Sequence, residues 1–310
     1  MSLRKNLGAV SQKYLGAKKT RALKTLLSIN NEESTVTKPS APEYNYGDNK
    51  VINHPRLDHA KITFKGSGNI LYCETSDTIF SNCNISFEGD NALVYISKHS
   101  NKNRKYRIKI YAQSDTVVYV GENTNFHIGR DSLSYLMASE GKNIFIGNDC
   151  LFSLNTWFRT SDGHAAYDTH TKTRINHARS IFVGDHVWFG QDTTLLKGAR
   201  IGSGSIVGAG SILTGKTFPS NASIAGVPAK ILKVGVFFDK PNINGYSGDR
   251  IDEVEHCDTD EWIYSRDKST LDFDTIDKAF SKAKTSTEKL VYIQKHLAGS
   301  KPKNRFYIGE

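Results

Sequence analysis

Every sixth residue from Val183 to Leu213 is apolar: Val183, Phe189, Leu195, Ile201, Val207 and Leu213. The fifth place of each hexad holds only Val187, Thr193, Ala199, Ser205, Ser211 and Thr217. A period of six matches neither a helix nor a strand with one wet side. It suits a solenoid in which each hexad is one side of a triangular coil, with the bulky residue filling the interior and the compact one near a corner. Such coils stack short parallel strands and bury a core only together. Three hexads make a coil, so the stretch from Val183 to Phe218 predicts two turns.

Upstream the spacing loosens. Ile79 and Ile85, Val120 and Phe126, then Ile146, Phe152 and Phe158 predict earlier, irregular coils, interrupted by a basic loop or strand edge from Lys98 to Lys109. Between Arg159 and Ser180 the pattern fails. Continuing the phase from Phe158 would bury His164, His170 and Asn176 and put Asp162, Asp168 and Arg174 at compact places, which a dry core penalises heavily. Residues 159–180 are therefore expected to leave the wall, and they hold the densest group of reactive side chains in the chain. Downstream, Pro219, Gly226 and Pro228 end the coils. Asp274–Lys284 and Ser286–Ala298 read as helices, the second with a Thr285–Glu288 capping box and a stop at Gly299. The expected organisation is a basic helix and linker over 1–50, a β-helix over 51–235 and a small helical appendage over 236–310.

With 310 residues, 38% hydrophobic and 24% charged, the chain has the composition of an ordinary soluble protein. No apolar run is long enough to span a bilayer, and no secretory signal opens the chain, so a cytoplasmic location is expected. The net charge of +9 is uneven, because residues 1–30 carry seven Lys or Arg and no acid. With Leu7, Val10, Tyr14, Leu23, Leu26 and Leu27 interleaved, that segment reads either as a helix packed on the protein's own body, the preferred reading, or as an amphipathic helix on the inner face of an anionic membrane. No nucleic-acid motif accompanies the charge. Four sparse cysteines, Cys73, Cys83, Cys150 and Cys257, read as buried thiols. Residues Asp249–Asp277 hold eleven acids against Arg250, Arg266 and Lys268, and carry no readable role.

The hexads followed by AGVPAKIL resemble the left-handed parallel β-helix acyltransferases of the hexapeptide-repeat superfamily. The succession RTSDGHAAYD, RINHA and SIFVGDHVWFG, from Arg159 to Gly190, is similar to O-acetyltransferases encoded with bacterial capsule and surface-polysaccharide genes. The resemblance covers roughly residues 140–235 and is the only source of the left hand, since the general crossover rule favours the other. It implies that His164 matches the general base and that Trp188, twenty-four residues on, matches the tryptophan beside the acyl thioester. It also implies acetyl-CoA as co-substrate, lying in the groove between two subunits of a homotrimer, and a sugar or polysaccharide acceptor.

The chemistry fits those residue types. A neutral imidazole suits removal of the proton from a sugar hydroxyl, and the N–H of Gln191 in the turn after Trp188 is a candidate oxyanion donor. Gly208, Ala209 and Gly210 would let a pantetheine arm approach the wall, with Lys230, Lys216 and Lys233 as candidate phosphate contacts. Asp162 and Asp168 are alternatives for orienting the imidazole, and Arg159, Lys172 and Arg174 are candidates for meeting an anionic acceptor. His170, His177 and His186 read as surface residues. GSILTGKT, Gly210–Thr217, fits the P-loop pattern by letter only, because it lies inside the hexads with no helix after it. Three other readings remain open: N-acetylation of a nucleotide-linked amino sugar, a zinc carbonic-anhydrase-like lyase using histidines such as His164, His170 and His177, and a non-catalytic scaffold. No metal is assigned on the first.

Overall fold

A computed structural model describes residues 43–310, apart from 128, 130–132 and 299–301. The basic segment 1–30, most of the expected linker and Gly299 lie outside the described residues. The expected boundary at 51 falls inside an antiparallel hairpin, Glu43–Tyr46 with Asn49–Ile52, that begins the β-structure.

From there the chain winds a triangular prism whose three faces are parallel sheets, apart from the final strand Ala229–Val234, which turns back antiparallel. The first face has nine strands, from the hairpin to Thr217–Phe218. A second, of seven, runs from Lys61–Phe64 to Ile212–Leu213. The third comprises three strands ending at Lys105–Tyr106 and six more from Asn125–Phe126 to Ala229–Val234. The break between these two groups comes after Lys105–Tyr106, so of the basic stretch Lys98–Lys109 only the part before Lys105 is a loop, and the rest runs into strands.

The hexads behave as their spacing predicts. Val183 pairs with Ile201, Phe189 with Val207 and Leu195 with Leu213, one coil apart. All six apolar residues are buried, as are five of the six compact ones. Thr217 is exposed because the last coil is a residue short: Ile201 pairs with Phe218, which takes the interior place. Inside, rings stack coil on coil, Phe126 on Phe152 at 4.5 Å and Phe152 on Phe189 at 4.6 Å. Each buried Phe contributes roughly 1.5–3 kcal/mol, enough to hold strands only two residues long.

The first face differs from the others because it is buried on both sides. Its strands Leu93–Ile96, Val117–Val120, Ile144–Ile146 and Ile181–Val183 have no exposed residue. The C-terminal segment covers them with helices α1 (Phe273–Lys282) and α2 (Ser286–Ile293) and with the tail after them. Phe273 stacks on Phe182 at 4.8 Å, and Phe306 meets Phe145 edge-on at 5.0 Å. The capping box forms as expected, Thr285 Oγ1 accepting from the Glu288 N–H while Glu288 reaches back to the N–H of Lys284 at 2.8 Å. Cys73, Cys83 and Cys150 are buried thiols, whereas Cys257 is exposed, contrary to the sequence reading. No helix among the described residues is long and apolar enough to cross a membrane.

Candidate active site

Regular coils recur every eighteen residues, as Trp188 pairs with Ile206. Earlier coils are looser, as between Asn125 and Leu151, and one is far longer: Leu151 pairs with Trp188, thirty-seven residues on. The excess is the segment between Trp157–Arg159 on the second face and Ile181–Val183 on the first, so it leaves the prism at the edge where those faces meet. The polar residues that would have occupied interior places are lifted out, as the broken periodicity predicts.

Outside the wall this loop folds on itself. Tyr167 bridges antiparallel to Arg174, and the carboxylate of Asp168 accepts the N–H groups of His170 (2.9 Å) and Thr171 (2.8 Å). Those N–H groups hold the Asp168 carboxyl below its ordinary range and commit it to the turn. Asn176 ties the loop to its own beginning: its Nδ2 donates to the carbonyl of His164 (2.8 Å) and to Asp162 Oδ2 (2.9 Å), and its Oδ1 accepts the Ala166 N–H (2.8 Å). From the next coil, Lys197 Nζ donates to Asp162 and to the Asn176 carbonyl, and this bond to Asp162 is the main cause of a lowered carboxyl pKa. The Arg159 guanidinium lies against Gly163. Arg174 is held by Glu140 at 2.8 Å, which makes it a clamp on the loop. Asn176 and Lys197 escaped sequence reasoning as site residues; Asn176 stood in the RINHA motif, but Lys197 had no local signal.

His164 therefore stands exposed on a stapled loop, with its backbone fixed. Lys172, His170 and His177 are exposed on the same loop. Trp188 is on the third face, 39% exposed, with Phe238 5.7 Å away. The loop leaves at the edge between the second and first faces, which in a triangular prism is the edge opposite the third face that carries Trp188. Gln191 follows Trp188 at the corner between the third and second faces; its carbonyl accepts the Gly210 N–H at 2.8 Å, and its own N–H meets no acceptor among the described residues. The corner is lined by small residues of necessity. A Cβ on Gly190 would lie 2.5 Å from the Ala209 nitrogen, and one on Gly208 2.9 Å from the Ala225 Cβ, whereas Gly210 faces open space. Lys230 and Lys233 are exposed on the final strand of the third face, while Lys216 is at the edge between the second and first faces. Gly210–Thr217 lies within coil and corner, with no strand–helix junction.

His186 corrects its expected surface placement. It is fully buried, sandwiched between Phe238 (4.1 Å) and Trp262 (3.6 Å), with Nε2 2.9 Å from the Phe238 carbonyl. Burial pushes its pKa down to about 4. Among the described residues, no group of three or more His, Cys, Asp or Glu is placed to hold a metal.

No family profile matches the chain. It is 36% identical over 144 residues to a polysialic acid O-acetyltransferase of Escherichia coli O1:K1 / APEC, covering 46% of this chain and 44% of that protein. It is 29% identical over 138 residues to one from Neisseria meningitidis, covering 44% and 60%. The chain thus spans about half the length of these curated relatives. Among solved structures it is similar to the polySia-specific acetyltransferase NeuO, with 31% identity, a TM-score of 0.55, and coverage of 64% of this chain and 82% of that one.

Proposed function

Because the chain belongs to the hexapeptide-repeat, left-handed parallel β-helix acyltransferases, alongside the polysaccharide O-acetyltransferases, we propose that it transfers acetyl groups from acetyl-CoA to a hydroxyl of a capsular or surface polysaccharide. The observation that carries this reading is the stapled loop, which holds the backbone of His164 by a hydrogen bond from Asn176 and leaves its imidazole exposed outside the prism, in a chain related to NeuO.

Acetyl-CoA supplies an activated acyl thioester. Gly208, Ala209 and Gly210 present little side chain at the corner, and Gly210 faces open space, which suits its pantetheine arm. Trp188 offers an apolar surface for the thioester end, Gln191 N–H a donor for the oxyanion, and Lys216 and Lys230 charges for the phosphates. His164 takes the proton of the acceptor hydroxyl as its oxygen bonds to the acyl carbon, then returns that proton to the departing thiolate, so the imidazole ends neutral. Asp162, bound by Lys197 and Asn176, shapes the loop around it, and Arg159, against Gly163, supplies a positive charge for an anionic acceptor.

The loop that carries His164 leaves the prism at the edge opposite the face that carries Trp188, which favours a site completed by another copy, as in a homotrimer. Two features support this. The C-terminal segment already covers the first face, leaving the other two for association. Tyr167 and Ile175 on the loop are 60% and 64% exposed, and apolar groups of that size in water mark a contact surface.

Purified protein is expected to release CoA thiol from acetyl-CoA only with a suitable glycan. His164→Ala lowers that rate about 100- to 10,000-fold with unchanged oligomeric state. A variant as active as the parent would remove His164 as the base, and a parent that acetylates no glycan would remove the function.

A further inference from the structure

After the final strand of the third face, the chain turns back along the corner between the third and first faces. Residues 236–240 are tied there to one corner residue after another. The Val236 N–H donates to the Asn221 carbonyl at 2.9 Å, and Asn221 Nδ2 donates to the Val236 carbonyl at 3.1 Å. The Phe238 carbonyl is 2.9 Å from His186 Nε2, and Lys240 Nζ is 2.6 Å from Asp149 Oδ1. Asn221, His186 and Asp149 all have left-handed backbone at that corner, so these five residues form a strap running from the last coil toward earlier ones.

The strap places one ring with care. A carbonyl can only accept, so His186 carries its proton on Nε2 and donates it to Phe238. The buried Nδ1, which meets no partner among the described residues, is then the unprotonated nitrogen. The same imidazole also lies against the Phe238 ring at 4.1 Å with 8° between the planes, fixing this residue by backbone and by side chain. Behind His186 stands Trp262, whose carbonyl accepts from Asn221 Nδ2 at 2.8 Å. Phe238 is thereby held against Trp188, with ring centroids 5.7 Å apart and planes tilted by 47°, inside the range of favourable aromatic pairs. Along the sheet the register neighbours of Trp188 are Leu151 and Ile206. An indole on a two-residue strand has several staggered rotamers open to it, and a rigid neighbour at the corner selects among them.

We propose that Phe238 is a positioning residue for the co-substrate, holding the indole of Trp188 in the attitude that receives the thioester end of acetyl-CoA. The proposal rests on the reading of Trp188 given above. It makes the C-terminal segment, which lies beyond the residues 140–235 that resemble known enzymes, a part of the acetyl-CoA site as well as a cover for the first face. The competing role for Phe238 is packing alone, sealing the corner over His186.

The test titrates acetyl-CoA into the full chain by calorimetry, so it needs no glycan. Leucine replaces Phe238 because alanine would leave a cavity at a buried position. Phe238→Leu fills the space without a ring and weakens acetyl-CoA binding about two- to tenfold, whereas Phe238→Tyr, which keeps the ring, stays within about twofold of the parent. Trp188→Ala weakens binding about tenfold or more, and in that background Phe238→Leu adds less than about twofold, since it acts through the indole. With an acceptor glycan in use, Phe238→Leu raises KM for acetyl-CoA by the same factor and leaves KM for the glycan unchanged. Parental affinity in Phe238→Leu overturns the proposal while leaving Trp188 in place. An equal loss in both backgrounds also overturns it, because packing that never passes through Trp188 gives that result. Parental affinity in Trp188→Ala removes the indole from the site and the proposal with it, and a parent that binds no acetyl-CoA removes the acetyltransferase reading as well.

Discussion

His164 and His186, twenty-two residues apart, occupy different edges of one prism, and their surroundings are opposite in every respect. His164 is on a loop outside the wall, exposed, with only its backbone held by Asn176. His186 is at the corner between the first and third faces, fully buried between two aromatic rings. That corner adopts left-handed backbone in coil after coil, at Asn123, Asp149, His186, Gly204 and Asn221, a conformation tolerated best by Gly, Asn and Asp. Histidine there is a compromise made for the sandwich. The comparison teaches that the wet edge keeps an imidazole open to solvent while the dry edge docks the C-terminal segment.

The largest expected contrast is therefore between rate and stability. Replacing His164 affects turnover by the factor given above and leaves the melting curve in place. At the dry edge the key pair is Arg305, 1% exposed, whose Nε and Nη2 each lie 2.8 Å from an oxygen of Asp185 and whose Nη1 donates to the Leu297 carbonyl. Asp185 also accepts the Asn148 N–H at 2.6 Å, so the clamp joins the tail to two coils. Arg305→Met leaves a buried carboxylate without its partner, and urea unfolding should show a loss of about 3–5 kcal/mol. A loss under 1 kcal/mol would mean that the tail is not what seals that face.

A smaller effect tests the burial of His186. Its folded pKa of about 4 lies below the unfolded value of about 6.5, so the unfolded chain binds the extra proton between those values. Stability from this group is complete above pH 6.5, declines as pH falls and is gone below pH 4, a change on the order of 3 kcal/mol. Thermal melts from pH 7 to 4 should fall less steeply in His186→Gln than in the parent; parallel slopes would place the imidazole in water.

Much of the prism is legible because each hexad states the same requirement independently, and six repetitions leave one period. The loop is legible for the converse reason: His164, His170 and Asn176 would be intolerable at the interior places the period assigns them. His186 was misread because its partners are remote, the Phe238 carbonyl fifty-two residues away, and nothing local announces burial. Doubly buried strands did leave a trace, in continuous runs such as Leu93–Ile96 and Val117–Val120, which signal a sheet covered on both sides. What covers them could not be read, since Arg305 reaches Asp185 across 120 residues.

The smallest effect concerns how the wet edge holds its histidine. Asn176 makes three hydrogen bonds of 2.8–2.9 Å within the loop, to the His164 carbonyl, to Asp162 and from Ala166, all at exposed positions where water can substitute. Its removal thus changes stability little, by about 1 kcal/mol or less, but frees the backbone beneath the imidazole. Asn176→Ala is expected to lower kcat about tenfold with little change in KM for acetyl-CoA or in melting temperature. Asn176→Asp discriminates between positioning and mere packing. It keeps the shape and the acceptor for Ala166, yet it cannot donate to Asp162 and places a second carboxylate beside it. If Asn176 acts through donation, the aspartate variant is slower than the alanine one at neutral pH, where an imidazole is a free base; if only shape matters, it remains close to the parent.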